Sequence, residues 1–165
     1  MLGFPPLPPY EGLHVIVVHF PIGILLIAWL PMLIAMIDKK RRQAWFASAA
    51  MLLIVGTIAA FAATLTGEAA HEIVGATSEQ VSQAIHEHEE AAETARNLFV
   101  AVTILFFAVW IAGAKVAPKK RPMVAIVGGA LVVVAYFVAA VALANAGHLG
   151  GVLVHEFGIH APLNQ

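Results

Sequence analysis

A chain of 165 residues in which 61% of the side chains are apolar and 12% are charged, with a mean hydropathy of +0.87, is too apolar for a water-soluble domain and belongs in a bilayer. It has no cysteine, which excludes disulfides, thiolate metal sites, Cys-ligated clusters and c-type haem attachment within the chain. The formal net charge of −1 hides a strong sorting of charge along the sequence.

The start, Phe4-Pro5-Pro6-Leu7-Pro8-Pro9, carries no basic residue, so the first apolar run is expected to be an uncleaved span with its N-terminus outside. Four stretches meet the requirement for about 20 residues across a hydrocarbon core of about 30 Å: residues 13–37, 44–66, 95–114 and 122–146. The expected fold is an all-α membrane protein, a bundle of four transmembrane helices forming one domain over residues 1–165. Pro21 and Pro31 each remove an i to i−4 hydrogen bond from the first span, which predicts kinks near His19. The second span presents Gly56, Ala60, Ala63, Thr64 and Gly67, a small-residue face that permits close helix approach.

Residues 67–94 read as a continuation of the second helix, a turn at Gly75-Ala76-Thr77 and a new helix. Ser78 supplies an N-cap oxygen and Glu79 an acid at the positive helix end, so the third helix begins well above the bilayer. The tail, residues 147–165, is broken by glycines and is expected to fold over the outer mouth. The layout is two helical hairpins of similar plan, with no repeat of sequence between them.

Eight of the nine Lys and Arg residues sit in the two short loops: Lys39, Lys40, Arg41, Arg42, then Lys115, Lys119, Lys120, Arg121. By the positive-inside rule these loops face the cytoplasm and both termini face outward, the topology of a multi-pass bacterial inner-membrane protein. Arg96 alone lies outside the basic set. The loops are explained by topology and anionic lipid, not by nucleic acid. An inner half without ionisable residues offers no pathway for a transporter. With no phosphate-cradling loop or nucleophile pair, no independent catalytic activity is expected.

All eight histidines, His14, His19, His71, His86, His88, His148, His155 and His160, fall at the end opposite the basic loops, with nine of the ten acids. Residues three or four apart share a helix face, so His88 heads a stripe of Ala91, Ala92 and Ala95, whereas His86 shares its side with Glu89, Glu90, Glu93 and Asn97. The alanines leave flat space suited to a planar macrocycle or to close helix contact. His19 is turned roughly 140° from His14 and lies roughly 8 Å deeper. His14, His71, His88 and His148 come out in one layer near the outer interface. Glu68 and His71 form an i, i+3 pair like half of a di-iron ligand set. The bland alternative is a set of interfacial histidines making ordinary hydrogen bonds, which suits His155, His160 and the water-facing His86.

Leu13-His14, His19-Phe20-Pro21-Ile22-Gly23, Leu65-Thr66-Gly67-Glu68, His86-Glu87-His88 and Gly147-His148-Leu149-Gly150-Gly151 together resemble the bacterial four-helix membrane family catalogued as domain of unknown function 2231. The resemblance covers essentially the whole chain. It implies the four-helix fold, functional positions at His14, His19, Glu68, His86 or His88, His148 and the glycines, and, from relatives joined to Rieske or c-type cytochrome modules, redox work with a b-type haem. Where the family pattern has Tyr then His in the tail, this chain has His155 and Phe157, which implies one altered site.

The leading expectation is a membrane electron-transfer subunit holding one or two b-type haems near the periplasmic face. His19 and His88 are the first choice of axial pair, His14 and His148 the second, and a c-type cytochrome or Rieske protein the expected partner. The alternatives are a non-haem site for a divalent ion (Zn, Cu or Fe) on His14, His19, His71, His88, His148 and Glu68, and a structural anchor subunit of a larger redox complex. Self-association is compatible with each.

Overall fold

The computed structural model describes residues 12–74, 78–117, 119 and 121–159. The Pro-rich start, the turn expected at 75–77 and the chain from His160 onward lie outside the described residues. Within them run α1 (Leu13–Val17), α2 (His19–Ile27), α3 (Trp29–Ile37), α4 (Arg42–Val74), α5 (Glu79–Lys115) and α6 (Arg121–His155). Four segments are long and apolar enough to cross a membrane: Leu13–Ile37, Arg42–Glu72, Glu79–Lys115 and Met123–His155.

The first span is divided into α1, α2 and α3 at Val18 and Ala28, each three residues before a proline. Pro21 and Pro31 cannot donate to the carbonyls of Val17 and Ile27, which loosens the turns above them. At Ala28 a second cause operates. The Tyr136 hydroxyl donates to the Leu25 carbonyl, which also accepts from the Ala28 N–H at 3.4 Å. A side chain from another helix thus enters the backbone ladder at the break.

Ser78 caps α5 as its sequence context predicts, with extended backbone and its hydroxyl accepting from the Val81 N–H at 3.4 Å. At 37 residues, α5 is about 55 Å long and overruns a hydrocarbon core of about 30 Å. A helix does not end where its residues turn polar, and residues 79–94 stay helical. Nor does α6 stop at 146: it continues through His148 to His155, correcting the expectation of a broken tail. Glycine weakens an isolated helix by about 1 kcal/mol, but Gly150 packs against a side chain of α5, and such tertiary contact outweighs propensity. The chain turns at Gly158, whose φ of 70° suits glycine, so that the Ile159 amide reaches the Leu153 carbonyl at 3.0 Å.

The segments pack as two hairpins, α1–α3 along α4 and α5 along α6; they meet closely between α4 and α5 and only lightly between α2 and α6. Their burial repeats although their sequences do not. In the descending helices Pro21, Leu25 and Ala28 are buried, as are Ala95, Phe99 and Val102, each 74 residues on. In the ascending helices the buried positions Ala49, Leu53, Gly56 and Ala63 recur 83 residues on as Val132, Tyr136, Ala139 and Ala146. Each hairpin turns the same stripe inward.

Toward the basic loops the interior is filled by aromatic rings, with Phe46 6.2 Å from Phe106 and 6.4 Å from Trp110, and Phe106 6.0 Å from Trp110, between centroids. Toward the histidine end the inward side chains shrink to alanine and glycine. Volume is withdrawn there, and a cavity results.

Candidate functional site

The cavity, of about 650 Å³, lies among all four spans at the histidine end. Its size is that of small-molecule and cofactor pockets. Leu25 and Phe99, both fully buried, form its floor, and Tyr136 packs edge-on beneath Phe99 with 5.8 Å between ring centroids. Ala60 and Ala63 on α4, Ala92 and Ala95 on α5, and Ala146 and Gly147 on α6 form much of the wall.

His14 and His88 face each other across this space, their ring centroids 6.4 Å apart and their planes 76° from parallel. The two are held alike. His14 Nδ1 lies 3.0 Å from the Ala63 carbonyl and 3.4 Å from Thr66 Oγ1; His88 Nδ1 lies 3.0 Å from the Ala146 carbonyl. A carbonyl oxygen only accepts, so each Nδ1 carries the hydrogen and donates it. In the neutral ring the lone pair is then on Nε2, the arrangement by which proteins orient an imidazole toward a metal.

One helical turn beyond each carbonyl stands a glycine. A Cβ on Gly67 would lie 3.1 Å from His14 Cε1, and one on Gly150 would lie 3.0 Å from His88 Cε1. Both are closer than side chains ordinarily approach, so hydrogen at these positions lets each ring come close against the neighbouring helix. The seat is thus Ala-x-x-x-Gly on an ascending helix for a histidine on a descending one, built twice.

The other sequence candidates are placed differently. His19 lines the cavity but is exposed, its Nδ1 donating to Val15 O at 2.7 Å on its own helix. His71, also exposed, pairs with Glu89 through Nδ1 and Oε1 at 2.9 Å. His86 is exposed at the rim of the cavity, in an i, i+4 pair with Glu90 at 3.3 Å. Glu68 and His155 are exposed residues at the rim. His148 is exposed and outside the cavity lining, where α6 presents Gly147, Gly150 and Gly151, and His160 lies outside the described residues. Among the described residues no three of His, Asp and Glu are grouped to hold a metal ion. The structure brings together a pair.

Sequence reasoning did not find the two carbonyl acceptors, because a backbone oxygen has no residue signature. Nor did it give Arg96 a role. Its signal was its isolation from all other basic residues: it lines the cavity, with its side chain 15% exposed.

These features define a helical membrane protein with four candidate spans and a paired-histidine cavity at one end of the bundle. The chain belongs to the family described as predicted membrane protein (DUF2231), whose model matches residues 11–162. No curated protein and no solved structure matches it.

Proposed function

We propose that this protein is a membrane electron-transfer subunit that holds one b-type haem between His14 and His88. The carrying observation is the pair of imidazoles 6.4 Å apart, each fixed by an Nδ1–H to carbonyl bond. That spacing would admit a metal bonded to one nitrogen of each ring at ordinary imidazole bond lengths of about 2.0–2.1 Å. The donor set also fits. His14 and His88 would be protein ligands enough for a haem, which brings the rest of its own, whereas a non-haem ion would need further protein ligands. Such a group supplies reversible one-electron transfer when bound.

The chain's own contribution is to hold both Nε2 atoms in place and to line the cavity with methyl groups and glycine where a flat ring must pass. Leu25 and Phe99 close the floor against the rest of the bundle. The basic loops face the cytoplasm of a bacterial inner membrane in this reading, and the cavity opens toward the periplasm. A c-type cytochrome or Rieske protein is the redox partner. The acidic rim, Glu68, Glu89, Glu90 and Glu93, suits a partner with a basic docking face.

The test is an absorption spectrum of protein produced with ample haem and purified in detergent. A low-spin spectrum with a sharp α band on reduction is expected. His14→Ala or His88→Ala abolishes it, while His19→Ala and His148→Ala retain it. Protein that folds but takes up no haem under these conditions ends the proposal.

A further inference from the structure

Because the two hairpins bury equivalent stripes, the places where the cavity departs from that equivalence mark its ligand's asymmetry. The seam between α4 and α5 is polar: Thr64, Glu68 and His71 face Glu89, Glu93 and Arg96. At the equivalent positions of the other seam stand Gly147, Gly151 and Val154 on α6, opposite Val15, His19 and Ile22. Apart from His19 that seam is apolar, and α2 touches α6 there only lightly. A ligand lying between His14 and His88 would have one edge against each seam.

Arg96 is the one Lys or Arg among the described residues that line the cavity. Its Nη1 donates to Thr64 Oγ1 at 3.0 Å, its Nη2 to Glu93 Oε1 at 3.2 Å and its Nε to Asn97 Oδ1 at 3.3 Å. The guanidinium lies 5.1 Å from the centroid of the Phe61 ring. Three of its five donors are thereby engaged, which leaves two uncommitted on a residue that lines the cavity. Its position differs from that of its acidic neighbours. The Arg96 side chain is 15% exposed and that of Glu93 53%; Glu89, 32% exposed, is occupied by His71. A half-solvated i, i+3 pair with Glu93 is weak enough to be shared with a second carboxylate, and a guanidinium fork matches a carboxylate two bonds at a time.

We infer that Arg96 binds a carboxylate edge of the cavity ligand at the α4–α5 seam, which orients the ligand with its uncharged edge toward α2 and α6. This rests on the proposal above that the ligand is a haem, whose two propionates lie on one edge. The ligand class is a planar macrocycle with carboxylates on one side. The groups facing Arg96 are Thr64 and Phe61 from α4 and Glu93 and Asn97 from its own helix.

The test compares binding of iron protoporphyrin IX and of its dimethyl ester to apo-protein in detergent micelles, followed by the Soret shift, for the wild type and Arg96→Gln. Partition of each porphyrin into micelles is common to both proteins, so the change in the ester-to-acid Kd ratio isolates Arg96. The ratio is expected to fall tenfold or more in Arg96→Gln, chiefly through loss of affinity for the acid. An unchanged ratio with both porphyrins still bound overturns the inference and leaves the haem proposal standing. No Soret shift with either porphyrin in the wild type overturns both. Should Arg96→Gln lose its helical circular dichroism, Glu93→Gln carries the test. Freeing the guanidinium from that carboxylate is expected to raise the wild-type preference severalfold, and an unchanged or reduced preference overturns the inference.

Discussion

His14 and His88 owe their placement to atoms that are not side chains. Their Nδ1 atoms rest on the carbonyls of Ala63 and Ala146, and their rings pass over Gly67 and Gly150. A Cβ at either glycine forces a shift of a few tenths of an ångström, and a branched side chain forces far more. Gly67→Val and Gly150→Val are therefore expected to push the imidazole off its carbonyl. The overpacking costs about 1–3 kcal/mol, which lowers the thermal midpoint while helical circular dichroism persists below it. Haem content, read from the reduced α band, should drop to background in both. A full complement of haem in either variant would show that the ring does not need the glycine. Both histidines were recognisable in the sequence as candidates, but their pairing was not. Pairing depends on the relative depth and rotation of helices far apart in the chain, and a one-residue change in either would turn the ring elsewhere.

Among the elements, the divided first span shows how far a sequence signal reaches. The prolines announce an interrupted helix, and the breaks do fall at Val18 and Ala28. The bond from the Tyr136 hydroxyl to the Leu25 carbonyl was invisible, since it joins residues 111 apart. Tyr136→Phe removes this donor, and the Leu25 carbonyl keeps its bond from the Ala28 N–H. The expected loss is about 1 kcal/mol, the net worth of one hydrogen bond, seen as a small fall in the thermal midpoint with haem retained. A much larger fall would mean that the hydroxyl also fixes how α2 packs on α6. For α6, the run of glycines read as a loop in the sequence and is helix in the structure, because α5 supplies the packing that glycine lacks.

At the scale of the whole molecule, the packed end and the hollow end divide the work. Aromatic rings around Phe46, Phe106 and Trp110 hold the hairpins together near the basic loops, so the other end can stay open without the bundle coming apart. The Thr57–Thr103 hydrogen bond, 3.1 Å, ties α4 to α5. The proposed topology is open to a direct check because the chain has no cysteine. Single cysteines placed by Lys40→Cys and Glu79→Cys are expected to respond oppositely to a membrane-impermeant thiol reagent. In intact spheroplasts Glu79→Cys should be labelled and Lys40→Cys protected until lysis. The reverse pattern would place the cavity on the cytoplasmic side.

The sequence by itself determined the elements and the sorting: four apolar runs long enough to span a bilayer, basic residues gathered at one end and imidazoles at the other. Those are local properties, set by hydropathy and charge along the chain. Which two imidazoles meet, how the buried stripe repeats in two hairpins without shared sequence, and which seam carries the guanidinium were decided only by tertiary structure. Such features arise where a backbone carbonyl, a missing Cβ and a ring from another helix come within a few ångströms of one another.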